Sequence, residues 1–396
     1  MSILERKLGN KDYLYIAILV SVTLIINIVL LKHLGLRYGG DSPRYLDGAD
    51  QWLKGMPLSG SHYVYIGYIW LCAFIKWIGL DINYVYLFQV SMSILASVAA
   101  YFLGKKYLDE KAGFVCGLIW AISADVHFWN FYILTDSLYV SFVMLSLCFV
   151  LHAQKGSYLI LLLSSLSIFI MALIRVNGFV FGLFLLISQM IMISCIRKKI
   201  IVAMSIIILI LLPSSPISSL FLPITGQKDT LVMFILGFMK EGQISWPTIT
   251  MVMPEQVIET GYAILDIFYY IIFNFSSVAK LWALRIFHFL FSYNPAFSTL
   301  HIIAYFLIFT VMHAGFVIGV FFVLKSGMKS LLIPLGIVIL HTLFVMLTTS
   351  DYDGRFILYM RPAEIPFLSL AITLFFRWIM QTENWMWIFK GKEKIR

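Results

Sequence analysis

Along the chain, apolar residues come in long unbroken runs, and polar residues fill the short gaps between them. The runs fall near 14–31, 84–103, 113–133, 137–153, 158–174, 176–195, 200–222, 263–279, 300–324, 330–349 and 363–380. Most approach about 20 residues, the length an α-helix needs to cross the hydrocarbon core of a bilayer. Leu, Ile and Phe fill them with no period of two, which argues against a transmembrane β-barrel. The gaps carry charge, Gly or Pro, where helices leave the bilayer. The pattern predicts an all-α, polytopic transmembrane helix bundle of about 11–13 spans, built as a single domain over the whole chain.

Composition agrees with this. Hydrophobic residues make up 61% of the 396 and charged residues 12%, with a mean hydropathy of +0.92. Soluble domains carry roughly 25% charged residues, so this chain cannot cover a surface in water. The first run is too long for a signal-peptide core and no small-residue cleavage site follows it, so it is expected to stay as the first span. Cys72, Cys116, Cys148 and Cys195 all fall in apolar runs without metal-ligand spacing and are expected to be buried thiols.

The net charge of +9 is a topology signal and no argument for nucleic acid. It gathers in Arg6/Lys7/Lys11, Lys105/Lys106/Lys111, Arg197/Lys198/Lys199, Lys325/Lys329 and Lys390/Lys392/Lys394/Arg396. Short basic loops stay in the cytoplasm, which puts both termini there and leaves 32–83, 223–262 and 350–362 as outer loops. That map needs the apolar stretch 62–80 to lie at the outer interface without crossing. Lys76 and the aromatics Tyr63, Tyr65, Tyr68, Trp70 and Trp77 suit such a position. Residues 263–297 are ambiguous, because Lys280 and Arg285 interrupt them.

The first outer loop is the most informative segment. Ser42 followed by Pro43 reads as a helix start, and Gly55 before Pro57 as a stop. Between them Tyr45, Leu46, Ala49, Trp52 and Leu53 share one face, with Arg44, Asp47, Asp50 and Lys54 largely opposite. This predicts an amphipathic juxtamembrane helix at the outer interface. Asp41 stands just before it, where the helix dipole favours a carboxylate. Residue chemistry leaves Asp41 either a solvated cap or a general base at the mouth of the bundle. Asp136, in Thr135-Asp136-Ser137 before an apolar run, is likewise a cap or a partner of Asp41. Asp125 and His127 fit pairing inside the bundle.

Further segments fall into order with this loop. Gly104-Lys105-Lys106-Tyr107 leads through Gly113 to Ala121 as a basic turn and a small-residue helix. Tyr132-Ile133-Leu134-Thr135-Asp136-Ser137-Leu138 is an acidic loop before a long apolar helix. Arg175-Val176-Asn177-Gly178 is a step between two spans. Asp353-Gly354-Arg355 and Arg361-Pro362 through Pro366 form a late basic loop entering a span. With Asp41 and its following Tyr, Ala and Gly-Pro-type exit, this series resembles the GT-C glycosyltransferases, with Val176 where Pro is usual. Those are the polyprenyl-phosphate-sugar-dependent enzymes that include protein O-mannosyltransferases and lipid A aminoarabinose transferases. The resemblance covers most of residues 14–375.

What the resemblance implies is a sugar donor on undecaprenyl or dolichyl phosphate, and a glycan, lipid or protein acceptor. Transfer would invert the anomeric centre at the outer face of a membrane, for a bacterium the inner one. Asp41 becomes the general base and Asp136 the second catalytic candidate. Arg and Lys can stabilise a leaving phosphate without a metal. Arg355, Arg175 and Arg361 lead that group, with Lys280 and Arg285 behind; the plain alternative for each is a basic residue snorkelling to headgroups. Arg44, Tyr45, His62 and Tyr63 are candidates for acceptor or sugar binding. No cofactor is expected: Asp351 and Asp353 could bind a divalent cation, but without further clustered carboxylates in that loop a metal is not favoured. The 33 Phe, 21 Tyr and 10 Trp read mainly as packing and interface anchors, with no way to choose a sugar platform among them. A transporter or flippase for lipid-linked saccharides would show an internal repeat, and none is evident. A glycan polymerase or ligase would use similar Arg-rich loops without needing an acid after the first span.

Overall fold

The computed structural model describes residues 9–58, 60–107, 109–153, 157–211, 231–246, 249–255, 260, 263–291, 297–351 and 355–380. Arg6, Lys7, Asp353 and the basic tail from 390 lie outside them. Every apolar run corresponds to a helix or a bent pair. These are α1 (Asn10–Leu34), α4 (Val85–Tyr107), the pair α5 (Glu110–Ile122) and α6 (Ala124–Phe128), α7 (Asp136–Ala153), α8 (Tyr158–Ile174), α9 (Val176–Met192) and α10 (Ile196–Leu211). They continue with the pair α12 (Ala263–Phe273) and α13 (Phe275–Phe291), then α14 (Thr299–Ser326), α15 (Leu332–Leu347) and α17 (Arg361–Met380). Shorter helices are α2 (Ser42–Leu53), α3 (Ile66–Trp77), α11 (Leu231–Lys240) and α16 (Arg355–Leu358).

Among the described residues five helices are long and apolar enough to cross a bilayer alone, and up to seven spans result if each bent pair is one. The apolar α8 and α9 have 17 residues each and α15 has 16. At about 1.5 Å per residue these reach roughly 25 Å, short of a full hydrocarbon core unless the bilayer thins or the ends snorkel. The stretch 263–279 differs from expectation: the chain turns by 100° between α12 and α13. Cys72, Cys116 and Cys148 are buried, but Cys195 is exposed, because α9 ends at Met192 and leaves it in the turn.

Polar contacts define two ends of the bundle. At one, Lys105 pairs with Asp12 and with Glu110, Lys106 donates to the Leu151 carbonyl, and Arg377 pairs with Asp109. Lys198 lies 5.5 Å over the Tyr158 ring at the same end. At the other, the mouth, the Arg37 N–H donates to the Phe131 carbonyl (2.8 Å) and the Ile133 N–H to that of Arg37 (3.1 Å). The Ser42 hydroxyl adds a bond to the Ile133 carbonyl at 2.7 Å. Since α1 ends at this mouth and α4 begins there, α2 and α3 leave and rejoin the bundle at one end. Residues 62–80 therefore do not cross, and Trp70 and Trp77 on α3 are exposed.

The break after α6 strands backbone carbonyls in a place where lipid offers no replacement partners. Gln89, fully buried on α4, meets them: its amide donates to the Asn130 (2.7 Å) and Tyr132 (3.0 Å) carbonyls. Its oxygen accepts from the Tyr68 hydroxyl at 2.9 Å, tying α3 to the break. Close packing of α4 on α5 depends on small residues. A Cβ on Gly113 would lie 2.7 Å from the Tyr101 carbonyl oxygen and 2.8 Å from the Lys105 Cβ. Gly113→Leu is expected to cost about 3 kcal/mol by overpacking. A thermal midpoint in detergent equal to that of the wild type would refute this.

At the mouth a small sheet joins two distant loops. Strand β1 (Gln243–Trp246) pairs antiparallel with β2 (Ile249–Thr250) and parallel with β3 (Ser350–Asp351). Arg285 of α13 braces it. Its Nε donates to the Gln243 carbonyl (2.7 Å), Nη1 to that of Met346 (2.6 Å) and Nη2 to that of Phe238 (2.9 Å).

Candidate active site at the mouth of the bundle

Asp41 occupies the N-cap position of α2, yet its side chain makes no capping bond. Ser42, the expected cap, instead accepts from the Gly39 N–H at 2.8 Å and donates to Ile133. The Asp41 carboxylate faces two guanidinium groups, Arg44 Nη1 at 3.6 Å and Arg355 Nη1 at 3.8 Å. These are ion-pair distances, longer than hydrogen bonds. Its side chain is 34% exposed and that of Arg355 17%, so the carboxylate reaches the surface and the guanidinium lies just beneath it. Arg355 comes from α16, just beyond β3, and its guanidinium stands 5.7 Å over the Trp129 ring.

Behind this pair lies a second, buried one. Asp136 opens α7 and is fully buried; Arg175 stands between α8 and α9 in extended backbone. Arg175 Nη1 donates to Asp136 Oδ1 and to Thr135 Oγ1, both at 2.9 Å. The Tyr359 hydroxyl also donates to Asp136 Oδ1, and the Arg175 guanidinium lies 4.8 Å over the Tyr359 ring. The turn at Arg175 closes without proline at 176: the Gly178 N–H bonds the Arg175 carbonyl at 2.9 Å. A Cβ on Gly178 would lie 2.1 Å from the Met171 carbonyl oxygen, so glycine is required there.

Breaking a buried ion pair from one side typically costs about 3–5 kcal/mol, because the other charge stays buried. Asp136→Leu is expected to destabilise the protein by that amount, and Arg175→Met in the same chain to restore most of it. The check is the thermal midpoint in detergent; a double variant no more stable than Asp136→Leu alone would overturn the assignment.

Aromatic side chains fill the space between the two pairs. Tyr45 is fully buried on α2 and packs edge-on against Tyr65 at 5.3 Å, while Arg44 lies 5.7 Å over the Tyr65 ring. Burial pushes the Tyr45 and Tyr359 hydroxyls well above the usual phenol range, so both keep their protons. Trp129 and Tyr65 had no distinguishing sequence signal among so many aromatic residues. Tyr359 had only a weak one, its position between Arg355 and Arg361.

The arrangement can do two things chemically. A part-exposed carboxylate can accept a proton, and the arginines beside it can meet an anion without a metal. Among the described residues no three metal-ligating side chains come together.

No family model matches the chain, and no curated protein matches it. Solved structures do. The Archaeoglobus fulgidus oligosaccharyltransferase in its apo form has a TM-score of 0.56 at 13% identity, over 96% of this chain and 53% of its own. The same enzyme tethered to an acceptor peptide has a TM-score of 0.50 at 14% identity, over 92% and 51%. The chain has the GT-C fold. It spans about half the length of the oligosaccharyltransferase. ArnT from Cupriavidus metallidurans bound to undecaprenyl phosphate is also similar, at a TM-score of 0.49, 12% identity, and 92% and 61% coverage.

Within this GT-C fold the remaining sequence candidates divide. Arg361 is fully buried in another group, held by Glu364 (2.9 Å) and Asp125 (3.3 Å) and stacked 5.0 Å over Phe309. Two carboxylates outweigh its single charge and repel a phosphate, so the expectation that it binds a donor phosphate is corrected to a brace between α17 and α6. Arg285 is corrected likewise, since backbone carbonyls take its Nε, Nη1 and Nη2. Lys280 is exposed on α13. His62 is buried under α2, 3.8 Å from Asp47, while Tyr63 is exposed beside it. His127 pairs internally, with Ser93 at 2.9 Å.

Proposed function

We propose that this protein is a membrane glycosyltransferase that moves a sugar from a polyprenyl-phosphate donor to an acceptor hydroxyl. Asp41 is its general base. One observation carries the reading: a carboxylate at a helix N-terminus that caps nothing, held instead in ion-pair range of Arg44 and Arg355 at the mouth of a GT-C fold. The ordered series of motifs around it supports the donor class.

In this reading the donor's isoprenoid chain lies in the bilayer and its phosphate comes to Arg355. The acceptor oxygen forms a bond to the anomeric carbon as its proton passes to Asp41. The bond from that carbon to the phosphate oxygen breaks on the opposite face, so configuration inverts. The electron pair leaves with the polyprenyl phosphate, and Arg355 neutralises its charge with no cofactor. Asp136 acts through Arg175 and Tyr359, which it holds in place. The positive-inside rule puts the basic end in the cytoplasm and the mouth outside, in a bacterium on the outer face of the inner membrane. The acceptor is a glycan, lipid or protein, read by short loops; nucleic acid has no part.

The test is purified protein in vesicles with an undecaprenyl-phosphate monosaccharide labelled in the sugar. Label entering a water-soluble or acceptor-linked product, with stoichiometric undecaprenyl phosphate, is expected. Movement of intact donor across the vesicle without cleavage would mark a flippase and end the reading.

A further inference from the structure

The second, buried pair has a feature the proposed chemistry leaves unused. Among the described residues, four buried side-chain atoms without a partner lie within electrostatic reach of Arg175. They are Tyr45 Oη, Asp136 Oδ2, Tyr139 Oη and His341 Nδ1. All four residues are fully buried. They come from α2, α7 and α15; Tyr359 touches Asp136, Tyr139 and His341, while Tyr45 packs on Tyr65 and Tyr68. Arg175 lies over the face of the Tyr359 ring at 4.8 Å, Tyr139 meets it edge-on at 5.1 Å and His341 at 5.5 Å. Unpaired buried polar groups are costly and rare. Four around one cation call for a polar guest.

The chemistry of the guest follows from what each atom can do. An ionised Asp136 can only accept at Oδ2. His341 turns Nε2 to the Phe356 carbonyl at 2.8 Å, so Nε2 carries the hydrogen, and Nδ1 of the neutral ring is a bare acceptor. The Tyr45 and Tyr139 hydroxyls can give or take. The guest must therefore bring hydrogen-bond donors. A phosphate brings only acceptors, and would set its charge beside Asp136. A sugar brings several hydroxyls, each of which donates one bond and accepts others; an amino group in place of one serves the same sites.

We propose that Tyr45, Asp136, Tyr139 and His341, gathered around Arg175, form a subsite for the hydroxyl groups of the transferred sugar. This rests on the glycosyltransferase reading and moves Arg175 from the phosphate to the sugar. The donor phosphate is left to Arg355 at the open mouth, and the sugar's ring hydroxyls reach inward past it.

Tyr45→Phe and Tyr139→Phe remove one oxygen each and keep the ring, so the fold is preserved. Binding is measured by fluorescence titration of purified protein with undecaprenyl phosphate, and with undecaprenyl phosphate carrying mannose, glucose, galactose or arabinose. At least one sugar-bearing lipid is expected to bind the wild type more tightly than the bare lipid. Each Phe variant should lose about three- to tenfold for that lipid and nothing for undecaprenyl phosphate. If the variants weaken both lipids alike, the site seats the phosphate and the proposal fails. If they weaken neither, the unpaired atoms hold water only, and it fails too. No binding of any lipid would defeat the glycosyltransferase reading itself, and this inference with it.

Discussion

Asp41→Asn is expected to lower sugar transfer by about 10²–10⁴-fold, the range that general-base catalysis supplies. Expression and thermal stability should stay at the wild-type level. The substitution is chosen because Asn caps a helix as well as Asp does, and because the Asp41 carboxylate makes no capping bond to lose. A purely structural Asp41 would therefore leave the Asn variant fully active, and that result would refute the general-base role. Asn also keeps the side chain's shape between Arg44 and Arg355, so the loss reports the missing base. Initial rates with saturating labelled donor measure it.

Arg355 gives the second large effect. Arg355→Gln removes one of the two cations in ion-pair range of Asp41, the one proposed to meet the leaving phosphate. Deleting one such transition-state donor costs about 10²–10³-fold in kcat. Arg355→Lys keeps a point charge but loses the planar fork, and should recover part of the rate. The discriminating reading is the split between kcat and KM. A snorkelling arginine would shift neither; a ground-state binder would raise the donor KM alone. A fall in kcat, partly restored by Lys, is expected.

The architecture was legible because it depends on length and apolarity. Each hydrophobic run maps onto a helix or bent pair, and the charge rule required 62–80 to stay out of the core, as the shared mouth of α1 and α4 requires as well. The amphipathic α2 was legible from its face pattern and from Gly55, which adopts a φ of 70°. The 100° turn between α12 and α13 was not, since nothing at Asn274 distinguishes a bend from a continuing span. Candidate arginines divided in a way sequence could not foresee. Arg285, Arg361 and Arg355 look alike as basic residues beside or within apolar runs, but tertiary folding brings carbonyls to the first, two carboxylates to the second and Asp41 to the third. Asp41 was ambiguous for a related reason. Whether a carboxylate caps a helix or points away from it depends on a rotamer and on partners hundreds of residues distant.

The β1–β3 pairing has a consequence for biosynthesis. Arg355 is held at the mouth by the strand before it, and that strand needs a partner from the loop after α11. A nascent chain stopped before β3 already holds Asp41 with Arg44 beside it, yet lacks Arg355. In the proposed mechanism Asp41 and Arg355 therefore come together only once the β1–β3 pairing has formed.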